Sequence, residues 1–592
     1  MTKSAHAVVV GLSLAVAGSL IALQGIATDT PGNNVPAGST SVATVSTSPA
    51  PEDSDEGGIV ISPVRPAEIP GGAGQASITQ AARYAWNQFF ALNWPAVEQT
   101  GRQRNRDTPD PEGKFGDQSR PLVWHTYRSK VELYPWSTHL PPGTTVDGDS
   151  LTFNYDALPG YYYSEDVPSC DGTTGDDVAW INLDEISQIS LNYMFNGSAG
   201  AGGYAPSESS SPTLIRFLAK ANRTYSDYIT GRGYYNHGGN GNDVDYFQAV
   251  TNFTNAIASG MPANSEEIVQ FPVDSVMVKS AWRLLTNDEV DSGKFHMAPV
   301  RFYEQRDGAT CYHQEAAWGM VALHIVQKTP GAPTFTFATF EQADNIKDSR
   351  GQPVENIYGE MLIDPGQLGG SPTTPRISHT DGPDGATTTA DGGFCHPANN
   401  PRLFYRNIPS GLPKPETGDG GVCVNYRDNA IPAQIIAVNR EAQARIREYS
   451  RDNGVRNSPW EHYKLVNIQY QPFDSGDIDA GNPDRQRSTF YQANIVVETN
   501  RTLQEFAGRQ TADGQTSDYD PAGAPVQNVY VSNADSTAYD HYNMGGCMGC
   551  HGNAQVQGGD FSFTLRGGPV REPEAPEFTD ASAWRLREKY GF

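Results

Sequence analysis

Trp318–Phe340, WGMVALHIVQKTPGAPTFTFATF, is the stretch that decides the fold. Trp318, Met320, Ala322, His324 and Val326 fall at every second position, which lines them along one face of a strand. Pro330-Gly331 then interrupts the run with turn chemistry. Phe335, Phe337 and Phe340 follow in a second apolar run. The pattern predicts an antiparallel hairpin of Trp318–Gln327 and Thr334–Phe340, buried in a core. Ser275–Trp282 and Tyr463–Tyr470 read as further strands. Helical spacing appears in Ile78–Leu92, where Ala82, Trp86, Phe89 and Phe90 recur on one side. Leu183–Phe195, Leu214–Ile229, Val244–Ala258 and Ile436–Tyr449 read as helices too. The expected class is α+β: a large single body with an antiparallel sheet core, several helices and long loops.

The flanks of that body read differently. Lys3 precedes an apolar run from Ala7 to Ala27, the pattern of a secretory signal ending near Gly25-Ile26-Ala27. The run is long enough that an uncleaved N-terminal anchor is the rival reading. Residues 28–76 are rich in Pro, Ser, Thr and Gly and read as a disordered tether, with a globular body over 77–539. Within the body, Gly366–Gly421 is a long Gly, Pro, Thr and Asp loop.

Near the C-terminus stands Cys547-Met548-Gly549-Cys550-His551. Two thiols three positions apart, with a histidine directly after, form the attachment pattern of a c-type haem. Each thiol adds to one vinyl group, and the adjacent imidazole becomes an axial ligand of the iron. The competing readings are half a zinc site, which needs two more ligands at similar spacing, and a redox dithiol, which belongs in a thioredoxin-like context. Downstream of His551 the chain has no Met and no His. A private cytochrome domain with its own second ligand is therefore excluded, and residues 540–592 must pack as an attachment segment on the body. Any protein-derived sixth ligand must come from upstream. The candidates are His324, Met320, His541, Met544 and Met297, in that order. For His324 the plainer reading is a core imidazole hydrogen-bonded to a neighbour.

Removing the two motif thiols leaves Cys170, Cys311, Cys395 and Cys423. In an exported chain an even remainder suggests disulfides. Of three connectivities, Cys395–Cys423 with Cys170–Cys311 is favoured; one pair staying reduced and buried is the alternative. The net charge is −26, from 42 basic and 68 acidic residues. That excludes a nucleic-acid partner, which needs a basic surface. It suits a basic redox partner, or simply keeps a secreted protein soluble. Asn240, Asn242, Asp243 and Asp245 lie in a Gly-rich turn that could hold calcium, but they miss the calcium-loop pattern and read as a solvated turn. Glu341, Asp344 and Asn345 close the second hairpin strand and could bind a metal or orient His324; a strand-end turn explains them too.

ALNWPA (Ala91–Ala96), LHIVQKTP (Leu323–Pro330), TFEQADN (Thr339–Asn345) and CMGCHG (Cys547–Gly552) together resemble landmarks of large secreted bacterial proteins of the cytochrome c family. The resemblance spans Ala91 to the C-terminus. It implies one covalent haem c and export to the periplasm or beyond, and it implies no substrate. Some members carry His at the place of Gln342, so a metal site at that hairpin loses support here. Two functions follow as expectations. One is electron transfer with a redox protein or a small-molecule donor or acceptor. The other is a haem-dependent oxidoreductase, peroxidase- or oxygenase-like, with an open distal site. A binding protein with a structural haem ranks below both. No membrane contact is expected beyond the N-terminal anchor reading.

Overall fold

One strand of 21 residues, Ala309–Thr329, organises the sheet. The computed structural model describes residues 57–99, 105–136, 155–172, 179–186, 213–236, 244–345, 353–362, 430–479, 481–490, 527–532 and 538–575, with short strands at 195–196, 404–405, 422–423, 509–510 and 516–517. These belong to one unit, Asp55–Phe592. Its main sheet has eight strands. They are β1 (Arg128–Ser129), β2 (Ile181–Leu183), β3 (Arg216–Ala221), β4 (Val276–Leu284), β5 (Met297–Arg306), β6 (Ala309–Thr329), β7 (Ala332–Gln342) and β8 (Tyr463–Gln469). The order β1-β3-β4-β6-β5-β2 forms one path, and β7 joins β6 to β8. Every pair is antiparallel except β2 with β5. The α+β class with an antiparallel sheet core is therefore what the chain adopts.

The length of β6 lets it serve two sets of partners. Its first half pairs with β5, and its second half lies between β4 and β7. The β6–β7 turn closes at Thr329 opposite Ala332, around Pro330-Gly331. A side chain at Gly331 would meet the Ala73 backbone nitrogen at 2.9 Å, so glycine is required by close approach.

One face of the sheet packs against α1 (Ile78–Leu92) and α4 (Ala433–Asn453). Helix α1 starts at Ser77, whose side chain caps Gln80 while Gln80 caps back. It buries Ala81, Ala85, Trp86, Phe89 and Phe90, and the Trp86 indole donates to Asn439 of α4 at 2.9 Å. The opposite face carries α2 (Arg223–Gly231), α3 (Val244–Ser259) and the C-terminal elements: hairpin β9 (Gln527–Ser532) and β10 (Tyr539–Met544), then α5 (Gly546–Val556) and α6 (Phe563–Gly567). Tyr225, Tyr246, Phe271, Val529, Met544, Met548 and Phe561 share its apolar cluster.

Several expectations are corrected. The packed body begins by Gly57 instead of Ser77, because Ile59, Ile69, Ala73 and Ala76 are buried in the core. Leu183 ends a strand instead of opening a helix, since β2 pairs in parallel with β5; residues 187–194 lie outside the described residues. Leu214–Ile229 is not one helix. Asn222 caps Tyr225 and splits the stretch into β3 and α2. The C-terminal elements reach upstream of Asp540, because β10 pairs with β9 from Gln527. Cys170 and Cys311 form a disulfide. Cys395, the side chain of Cys423, most of Gly366–Gly421, and Asn240, Asn242 and Asp243 lie outside the described residues. The described helices include none long and apolar enough to cross a membrane. The disulfide is compatible with export; the N-terminal run lies outside the described residues.

Candidate haem-attachment site

Helix α5, GCMGCHGNAQV, would be a poor helix alone, with three glycines and no capping side chain at Gly545. The sheet supplies what it lacks. Gln469 at the end of β8 accepts from the Met548 backbone N–H at 2.6 Å, satisfying one of the open donors of the first turn. The Gln469 amide donates to the Gly545 carbonyl at 3.4 Å. At the other end Gly558 and Gly559 return N–H groups to Gln555 and Ala554. Gly558 has φ +80°, and a Cβ there would meet the Val250 backbone at 2.8 Å, so only glycine closes this helix. The Gln555 side chain clasps β9, donating to the Tyr530 carbonyl at 2.6 Å and accepting from its N–H at 2.9 Å. A peptide starting at Asp540 would lack both Gln469 and β9. Expressed with the haem-attachment machinery it should remain unfolded by circular dichroism; a stable low-spin haem fragment would refute this.

Cys547 and Cys550 are both buried, three positions apart on one side of α5. The Cys547 sulfur lies 3.9 Å from the Thr339 hydroxyl. His551, half-buried, has its Nδ1 2.6 Å from the Phe561 carbonyl. A carbonyl can only accept, so Nδ1 carries the proton and Nε2 is the ligand-capable atom. Phe337 and Phe563 flank this imidazole at 4.9 and 5.2 Å.

His324 lies on the same side of the sheet. Its ring centroid is 6.1 Å from that of His551, with the planes 29° apart. It is buried, and its Nδ1 sits 2.7 Å from the Thr339 hydroxyl on β7, directly across the ladder. Thr339 thus lies beside both His324 and Cys547.

The other candidates separate. Met320 does not share a face with His324. The β4–β6 register sets Ala281 opposite Ala322 but Trp282 opposite Met320, so Val321 is an extra residue. That bulge changes the parity of the strand. Met320 packs with Leu323 and Ile325 against the helices, while Val326 belongs to the C-terminal cluster. Met297 starts β5 opposite Gly319, its N–H directed at Gln118. His541 is exposed on β10 and stacks on Tyr530 at 4.8 Å. Met544 is buried in the cluster that holds Cys547 and Met548. Glu341 and Asp344 have lysine partners: Lys464 at 3.4 Å, which also binds Glu355 at 2.6 Å, and Lys294 at 3.2 Å. Asn345 donates to the Val321 carbonyl. Among the described residues no group of three or more His, Cys, Asp or Glu side chains is placed to hold a metal ion.

Sequence reasoning missed Thr339, Gln469 and the Phe561 carbonyl. Thr339 has a signal in hindsight, since it stands across the predicted hairpin from His324. The other two belong to non-local contacts. It also missed His125 and His296, whose Nε2 atoms are 3.2 Å apart among Trp124, Trp282 and Trp460. Burial holds His296 down at about 3 and keeps His125 well below its ordinary range, so both are neutral core groups. Comparison of the chain with protein-family models, with curated proteins and with solved structures finds no match.

Proposed function

We propose that this chain is an exported mono-haem c-type cytochrome acting in electron transfer, with Cys547 and Cys550 as the covalent anchors and His551 and His324 as axial ligands. The observation that carries the reading is the His324–His551 pair. Imidazoles that share a metal through ring nitrogens, each at about 2 Å, have centroids roughly 6 Å apart; the separation here is 6.1 Å. Both rings engage a neighbour through Nδ1, and for His551 the carbonyl partner places the proton on Nδ1. A haem bound there would supply one-electron ferric–ferrous chemistry.

The chain's own residues would do the rest. Cys547 and Cys550, both buried, would hold the porphyrin edge. Phe337 and Phe563 flank His551 with apolar rings. The acidic surface charge favours a basic redox protein, or a small-molecule donor or acceptor, over nucleic acid. The oxidoreductase alternative needs an open distal position, and a His324 ligand would fill it. The resemblance to large secreted cytochrome c family proteins supports one covalent haem and export, and does not choose between the two functions.

Attachment is tested directly. The exported, matured protein should keep its haem through denaturation, and its alkaline pyridine spectrum should show two saturated vinyl groups. Cys547→Ala with Cys550→Ala should abolish covalent haem entirely. Purified mature protein that carries zinc and no haem would end this reading.

A further inference from the structure

We propose that Lys328 and Asp560 are a positioning pair that holds the Phe561 carbonyl on His551 and so sets the donor strength of that imidazole. The inference rests on the haem reading above. It starts from the backbone between α5 and α6. Asp560 and Phe561 both lie in the left-handed region, at φ +43° and +66°. For a bulky aromatic residue this conformation is a genuine outlier, and neither position is glycine. Two strained residues in succession persist only where the surroundings over-determine them.

The surroundings do so through one carboxylate. Asp560 Oδ2 accepts from the Lys328 ammonium at 2.7 Å and from the Phe271 backbone N–H at 2.6 Å. The Asp560 and Lys328 side chains are 10% and 4% exposed. Lys328 stands on β6, four residues beyond His324, so the sheet that carries one imidazole also anchors the turn that faces the other. Ser562, next in the chain, is held by Tyr225, which in turn meets Tyr134 at 2.6 Å. Between these two anchors Phe561 has its carbonyl directed at His551 Nδ1, and its ring packs near Phe335 and Phe337.

The chemical consequence follows from that hydrogen bond. A carbonyl accepting the Nδ1 proton gives the ring partial imidazolate character and strengthens its donation through Nε2. Stronger donation favours ferric over ferrous iron. Relaxing the turn would weaken the bond and move the balance toward ferrous. Loss of charge alone would move the balance in opposite directions for the two residues, so a shift toward ferrous in both variants reports the carbonyl.

The experiment uses full-length, matured protein, with haem content read by the pyridine spectrum, the midpoint potential by redox titration, and exchange of the His551 Nδ1 proton by NMR. Lys328→Met and Asp560→Asn should retain haem. Each should shift the ferric-to-ferrous ratio at fixed potential roughly tenfold toward ferrous, a rise of about 59 mV for one electron, and should speed exchange of the Nδ1 proton. Lys328→Arg should return both readouts to the parent values. Glu289→Gln, which weakens the pair between Arg283 of β4 and Glu289 of the helical turn that follows it, should change stability only. If Lys328→Met fails to fold, Asp560→Asn decides alone, since asparagine tolerates the left-handed region and still accepts from Phe271. An unchanged potential with haem retained overturns the positioning role while the haem reading stands. Parent protein without haem overturns the haem reading itself.

Discussion

Replacing His324 with alanine should convert a low-spin protein that ignores carbon monoxide into a high-spin one that binds it at once in the ferrous state. The parent should be low-spin because, on the proposed ligand set, two imidazole nitrogens would complete the iron's coordination. The His324 ring is fixed by Thr339 on the neighbouring strand and cannot swing away without breaking a buried hydrogen bond. Alanine removes the ligand and opens a position within the protein. Covalent attachment through Cys547 and Cys550 should be unaffected, so haem content serves as the internal control. His324→Met should remain low-spin and show a higher reduction potential, because a thioether donates less to ferric iron than an imidazole does. An unchanged optical spectrum in His324→Ala would return this residue to the role of a core histidine. Carbon monoxide binding by the parent would favour the oxidoreductase reading.

Opening the Cys170–Cys311 disulfide should cost about 3–5 kcal/mol of stability. The two cysteines are 141 residues apart in sequence, so the bond closes a long loop and removes much conformational freedom from the unfolded chain. It also staples the 168–170 segment to β6. The Cys170 N–H donates to the Tyr312 carbonyl and the Tyr312 N–H to Pro168, at 2.9 Å each. Arg306 donates to the Cys170 carbonyl at 2.6 Å. The Cys170→Ser, Cys311→Ser protein should therefore unfold at distinctly lower guanidinium concentration than the oxidised parent. The haem spectrum of the folded variant should not change, because this bond lies at the far end of β6 from His324. Coincident unfolding midpoints for the two proteins would refute the prediction.

The hairpin at Pro330-Gly331 and helix α1 were legible from sequence, because each rests on local chemistry. Proline and glycine punctuate a turn wherever they stand. Ser77 and Gln80 cap a helix across three residues. The two thiols and the histidine of α5 lie within five positions, so no distant contact is needed to recognise them.

Tertiary structure decided what depends on pairing partners. Alternation assigned Met320 and His324 to one face, and the bulge at Val321 put them on opposite faces. Nothing within β6 marks that extra residue; it arises from how Trp282 of β4 fits against Met320. The strand at Ile181–Leu183 exists because β5 lies beside it. Helix α5 forms from a glycine-rich sequence because Gln469 caps it from β8 and Gln555 ties it to β9. The left-handed Asp560-Phe561 turn is held by Lys328, more than two hundred residues earlier. Local propensity is a weak prior that burial and cross-strand pairing override. The sequence by itself determined which chemical groups the protein carries. Only the folded sheet determined which of them meet, because that depends on strand parity and on anchors distant in the chain.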